Sequence, residues 1–156
     1  MNLIIILSAK YLFLVSVLIF VIYWLKVNRQ IKKDLFIFSI FALPLSLIVA
    51  KISAIFIKDP RPFVVEHVKP LIPHIADNGF PSDHTLLTMA LASVIFYYNK
   101  KLGIVLFIIA ILTGTARVLA KVHHPLDIIG STVIAIAVTY LVSIGKKIYL
   151  SRVKKV

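Results

Sequence analysis

The amino-acid sequence predicts an all-α, polytopic transmembrane bundle of about five spanning helices. Three observations carry that expectation. Hydrophobic residues make up 60% of the 156 positions, against about 45–50% in an ordinary soluble domain, and mean hydropathy is +1.00. The excess is gathered into long apolar runs, with basic residues concentrated between them. Those runs are apolar on every side and lack period-2 alternation, which argues against a membrane barrel. The length suits one domain over 1–156.

The first run, 3–25, is interrupted by Lys10, which lies near one end and can snorkel to the interface. It lacks a basic leader and is followed by Lys26-Val27-Asn28-Arg29 rather than by small residues, so it reads as an uncleaved helix and not a signal peptide. The second run is 35–57. The connection 58–81 holds Pro60, Pro62, Pro70, Pro73 and Pro81 and is expected to be loop-like. Its Phe63-Val64-Val65 and Leu71-Ile72 are expected to dip into the membrane interface. The third run, 82–98, is short for about 30 Å of hydrocarbon and is expected to start at the interface. The fourth and fifth, 102–120 and 126–145, are joined by a connection over 117–125.

Orientation follows from the loops. Lys26, Arg29, Lys32 and Lys33, then Lys100 and Lys101, then Lys146, Lys147, Arg152, Lys154 and Lys155 fall on one side of a five-span chain. They are eleven of the 18 basic residues, so that side is expected to be cytoplasmic, with the N-terminus outside and the C-terminus inside. This distribution also accounts for the net charge of +12 without a nucleic-acid partner, since no basic face with interleaved aromatics is visible. With no cysteine, neither a disulfide framework nor a thiolate metal site is available.

The opposite side gathers Lys58, Asp59, Arg61, Ser82, Asp83, His84, Arg117, Lys121, His123, His124 and Asp127. Taken singly, an interfacial Lys or Arg is usually a headgroup anchor and an interfacial His a solvated bystander. Three ordered motifs shift that balance. In Lys58-Asp59-Pro60-Arg61-Pro62, the prolines stop the helix and can aim Arg61, whose planar fork suits phosphate oxygens. In Pro81-Ser82-Asp83-His84-Thr85, Ser82 is placed as an N-cap and leaves backbone N–H groups for an anion, while His84 can donate a proton to a departing oxygen. In Arg117-x5-His123-x3-Asp127, Pro125 opens a helix whose first turn carries Asp127. That carboxylate can reach His123, fix its tautomer and leave the other ring nitrogen as a nucleophile, with Arg117 as a second cation.

In these residues the sequence resembles the type 2 phosphatidic acid phosphatase family, whose pattern is K-x6-R-P, then P-S-G-H, then S-R-x5-H-x3-D. Arg61-Pro62, Pro81-Ser82-x-His84 and Arg117-x5-His123-x3-Asp127 match it in order, over roughly 40–140. The resemblance implies that His123 attacks phosphorus, Asp127 orients it, and His84 protonates the leaving oxygen. It also implies that Arg61, Arg117, Ser82 and the Asp83 backbone N–H hold the phosphoryl oxygens. Activated water would then hydrolyse a phosphohistidine, with no metal and no cofactor. The implied protein is a multi-pass enzyme of the bacterial inner membrane with its site facing the periplasm or exterior. Its implied partners are the bilayer and a membrane lipid phosphate, with no protein partner predicted.

Three positions depart from the pattern. Ala54 stands where the family has lysine, and Lys58 is expected to supply the missing cation, with Lys51 as the rival. Asp83 replaces the glycine of the second motif, as in members resembling undecaprenyl diphosphate phosphatases, and is expected to point away or pair with a cation. Ala116 replaces the serine before Arg117. Undecaprenyl diphosphate, the 1-phosphate of lipid A and phosphatidylglycerol phosphate are the candidate substrates. Two alternatives compete: a lipid-phosphate-binding protein without turnover, and a small transporter. His67, His74 and His124 are read as structural or solvent-facing, His124 being the nearest of them to substrate.

Overall fold

The computed structural model describes residues 2–153. They form six helices: α1 (Asn2–Lys26), α2 (Arg29–Phe56), α3 (Pro62–Val65), α4 (Asp83–Tyr98), α5 (Lys100–Leu119) and α6 (Pro125–Val153). Among the described residues there is no strand, only an isolated antiparallel bridge between Pro60 and Asn78. Four helices, α1, α2, α5 and α6, are long and apolar enough to cross a membrane.

Helix α4 is the exception, with 16 residues that rise about 24 Å. Its position explains its shortness. It packs against α1, α2, α5 and α6, and its buried residues include Leu86, Met89, Ala90, Leu91, Val94 and Ile95. A helix walled by protein does not have to match the thickness of the surrounding hydrocarbon on every side. The core accordingly forms along α4, with Phe38 and Leu106 near its C-terminal end and Ala50, Ala110 and Ala135 near its middle.

Several boundaries differ from the sequence expectation. Helix α2 begins at Arg29 and not at 35, because Asn28 caps it by accepting from the Ile31 N–H at 2.9 Å. Arg29, Lys32 and Lys33 therefore lie on the first turns of a helix and not in a loop. Helix α6 runs well past 145. Lys154 and Lys155 lie outside the described residues. The connection 58–81 contains a short helix, α3, with Pro62 at its start. Leu71 and Ile72 turn inward, with Ile72 packed in a cluster with Ala9, Ala116, Ala120 and Val122, and so do not dip into the interface as expected. The Leu71 N–H donates to the Ala120 carbonyl at 3.1 Å, which pairs the backbone there and draws both side chains onto the bundle.

At the end carrying the α4–α5 turn, Lys146 pairs with Asp34, and the Tyr98 hydroxyl donates to the same carboxylate at 2.8 Å. This network joins α2, α4 and α6 at the end remote from the 58–81 connection.

Candidate active site

The site is assembled where three chain breaks meet. Asn78 closes α2, its side-chain N–H groups donating to the Ala54 and Ile57 carbonyls at 3.2 and 3.0 Å. Its Oδ1 accepts from the Asp59 N–H at 2.8 Å, which fixes the segment leading to Arg61. Ser131 of α6 donates to the carbonyls of Asp127 at 2.7 Å and Ser82 at 2.9 Å, tying the start of α4 to the start of α6. Two glycines permit the close approach. A Cβ on Gly79 would stand 2.8 Å from Asp127 Oδ2, and one on Gly130 would stand 2.2 Å from the Phe80 ring.

These ties bring together the residues that the three motifs single out. His123, only 2% exposed, has Nδ1 3.0 Å from Asp127 Oδ2. The same oxygen accepts the His124 backbone N–H at 2.9 Å. The other imidazole nitrogen, Nε2, lies 3.3 Å from Arg61 Nη1 and 3.3 Å from Arg117 Nη2. Guanidinium groups only donate, so Nε2 must present its lone pair and Nδ1 must carry the proton. Burial, joined by the two guanidinium charges, holds His123 below the ordinary imidazole value against the opposing pull of Asp127. The result is a neutral, oriented imidazole whose lone pair faces two cations.

Each arginine is held from behind. Arg61 is 5% exposed, donates through Nε to Asp77 at 2.6 Å, and through Nη1 to the Val122 carbonyl at 2.7 Å. Burial of Asp77 is outweighed by its bond to Arg61, which keeps its carboxyl below the ordinary range. Arg117 donates to the Ala9 carbonyl at 3.3 Å, so α1 helps fix it.

A cavity of about 340 Å³ is lined by Arg61, Arg117, His84, His123, His74 and Asp83, among others. His84 rests edge-on against Phe13 of α1, ring centroids 4.7 Å apart. Ser82 occupies the N-cap position of α4 but makes no side-chain cap bond. It is fully buried, and its Oγ accepts from the Thr85 hydroxyl at 3.2 Å. The Asp83 carboxylate is exposed and meets Lys51 at 3.4 Å, the cation pairing expected for it.

The structure does not bring Lys58 to this cavity. Ala54 and Lys51 both line it, one turn apart on the same face of α2. Lys58 would share that face only if the helix continued, but α2 ends at Phe56, and Lys58 donates instead to the Ala54 carbonyl at 3.0 Å. Lys51, paired with Asp83, is therefore the lysine that stands at the cavity.

Two histidines read as structural or solvent-facing also belong to the site. His74 lines the cavity, with Nε2 3.0 Å from Arg117 Nη2. His124 stands with Nδ1 2.9 Å from Asp59 Oδ1. Asp59, His124 and Asp127 offer ligating atoms within 4.8 Å of one another, the one grouping of metal-ligand type among the described residues. Burial and the neighbouring Asp127 push the Asp59 carboxyl up, with His124 opposing. No sequence spacing announced His74, because it reaches the site through loop folding.

Comparison with known proteins places the chain in a family. Residues 35–147 match the family model described as the PAP2 superfamily. Undecaprenyl-diphosphatase BcrC of Bacillus subtilis is 36% identical over 132 residues, covering 85% of this chain and 68% of that protein. The chain spans between 62% and 68% of the length of the curated relatives it matches. LpxE of Aquifex aeolicus superimposes with a TM-score of 0.71 at 26% identity, over 90% of this chain and 84% of that one. A PAP2-type transmembrane phosphatidylglycerolphosphate phosphatase from Bacillus subtilis shares the fold, with a TM-score of 0.67 at 20% identity over 94% and 76%. With three motifs folded into one pocket and the family model covering most of its length, the chain belongs to the PAP2 superfamily, the type 2 phosphatidic acid phosphatases, and is an integral membrane protein of that lipid phosphatase family.

Proposed function

We propose that residues 1–156 act as one integral-membrane phosphatase domain that hydrolyses a phosphate monoester or diphosphate of a membrane lipid through a phosphohistidine. The observation that carries this reading is His123, with Nδ1 on Asp127 at 3.0 Å and Nε2 between two guanidinium groups at 3.3 Å each. A phosphoryl group entering between Arg61 and Arg117 would exchange those two N–H contacts for its own oxygens and free the Nε2 lone pair for in-line attack. Asp127 then stabilises the imidazolium that forms on His123. His84 protonates the departing oxygen and, as a base, activates the water that cleaves the phosphorus–nitrogen bond. The backbone N–H of Asp83 and the start of α4 at Ser82 supply further partners for phosphoryl oxygens. Arg61 and Arg117 provide the positive charge that a metal provides elsewhere, so the scheme runs without one.

A lipid substrate is supported by an apolar groove of about 530 Å³ between α2 and α4, lined by Leu43, Leu47, Leu86, Leu87 and Ala90, which meets the polar cavity at Asp83. A chain in that groove leaves its phosphate beside His123. The relative named as an undecaprenyl-diphosphatase puts undecaprenyl diphosphate first among the substrates, ahead of the lipid A 1-phosphate and phosphatidylglycerol phosphate. In this reading α4 is the third of five spans, the site faces the periplasm or exterior of a bacterial inner membrane, and the Asp34–Lys146 end faces the cytoplasm.

The test is phosphate release by the detergent-purified protein from a panel of long-chain lipid phosphates, with and without EDTA. We expect release from at least one lipid, undiminished by chelator. Loss in EDTA restored by a single divalent ion would contradict the metal-free scheme and would point to Asp59, His124 and Asp127.

A further inference from the structure

His74 has no place in the three motifs, yet its ring stands over the same cavity as His123, centroids 6.1 Å apart. The loop that carries it is anchored on both sides. Ile72 is buried against α1 and α5, and Asp77 is bonded to Arg61. Its position is thus as defined as that of the arginines it faces. Nε2 lies 3.0 Å from an Arg117 N–H, so in the free protein that nitrogen is an acceptor and the ring is neutral. Nδ1 carries the proton and points toward the Ile75 carbonyl, a long contact at 3.4 Å.

A phosphate dianion held by Arg117 must compete with His74 for the same guanidinium. Once displaced from that donor, the His74 nitrogen faces the anion instead of a cation. We propose that His74 is a further phosphate-contacting residue: on binding of a phosphate dianion it takes one proton from solvent at Nε2 and donates that N–H to a phosphate oxygen. This rests on the phosphatase reading of the pocket.

The electrostatics favour such a change. Burial, with Arg61 and Arg117, holds the His74 imidazole below its ordinary value in the free protein, and His123 adds to this. The other titratable groups lining the same cavity are Asp77 on its own loop, Lys51 on α2, and Asp83 and His84 on α4. Placing two negative charges among these cations reverses the field at the ring, and the neutral base becomes a charged donor. Substrate binding would thereby carry its own proton uptake.

The experiment is calorimetric titration of inorganic phosphate into the detergent-purified protein at pH 8, in two buffers of different ionisation enthalpy, which counts protons taken up. It is run on the native chain, His74→Gln and His74→Ala. Glutamine keeps an acceptor for Arg117 but cannot gain a proton, so it separates structural support from proton uptake. We expect both variants to take up about one proton fewer per bound phosphate and to bind it about tenfold more weakly or worse. Uptake in His74→Gln equal to that of the native chain overturns the proposal, as does full rescue of affinity by glutamine. Should the native chain bind no phosphate and hydrolyse no lipid phosphate, the phosphatase reading falls as well. Native turnover with unaltered proton uptake in both variants removes His74 alone.

Discussion

At the residue scale, the proposed attack requires His123 to be neutral and correctly tautomeric before substrate arrives. The ring is held below its ordinary value, so it stays a free base to lower pH than a solvated histidine would. Single-turnover phosphate transfer to the protein should therefore decline only in stronger acid than a solvated histidine would tolerate. A decline that begins above neutrality, measured by rapid quench across pH, would mean that the nucleophile is not this depressed imidazole. The grouping of Arg61, His84, Arg117, His123 and Asp127 was legible in the sequence because each sits at a fixed offset within a motif. His74 was not, since nothing local distinguishes a loop histidine that folds onto Arg117 from one that faces water. Lys58 was misjudged for a related reason. Its offset from Arg61 said nothing about α2 ending two residues before it.

At the scale of elements, the site is a junction of helix ends rather than the face of one helix. The Phe80 ring packs against Gly130 of α6, and Ser131, the next residue, donates to the Ser82 carbonyl at the start of α4. A methyl group at 130 has no room, because the Phe80 ring is buried and cannot swing into solvent. Gly130→Ala should cost about 1–3 kcal/mol in overpacking and lower kcat more than it raises KM, by moving the wall that carries Ser82 and Asp83. Thermal unfolding in detergent and steady-state kinetics check the two parts, and an unchanged kcat would show that the α4–α6 contact does not position the site. The helices themselves were readable from apolar runs, but the start of α2 and the end of α6 were not. The Asn28 cap and the carbonyls satisfied by Asn78 are tertiary or capping details that hydropathy averages away.

At the scale of the molecule, all the catalytic candidates lie at one end of the bundle and the Asp34–Tyr98–Lys146 network at the other. The all-helical bundle was legible in composition and charge distribution. The central helix α4 was harder to read, because a helix surrounded by protein can be short, and hydropathy counts only lengths. The chain has no cysteine, so single cysteines report orientation without background. In intact cells, Ile75→Cys, in the exposed loop beside the cavity, should react with a membrane-impermeant maleimide. Lys101→Cys, at the opposite end, should react only after the membrane is opened. The reverse pattern would invert the proposed topology and place the site in the cytoplasm.

The most direct test of the whole account is to trap the covalent intermediate. Protein mixed with radiolabelled lipid phosphate and quenched before steady state should carry acid-labile, alkali-stable phosphate on His123, located by peptide mass spectrometry. His123→Ala should carry none and should lose turnover by at least about a thousandfold. Phosphate found on another residue, or hydrolysis at the native rate by His123→Ala, would contradict it.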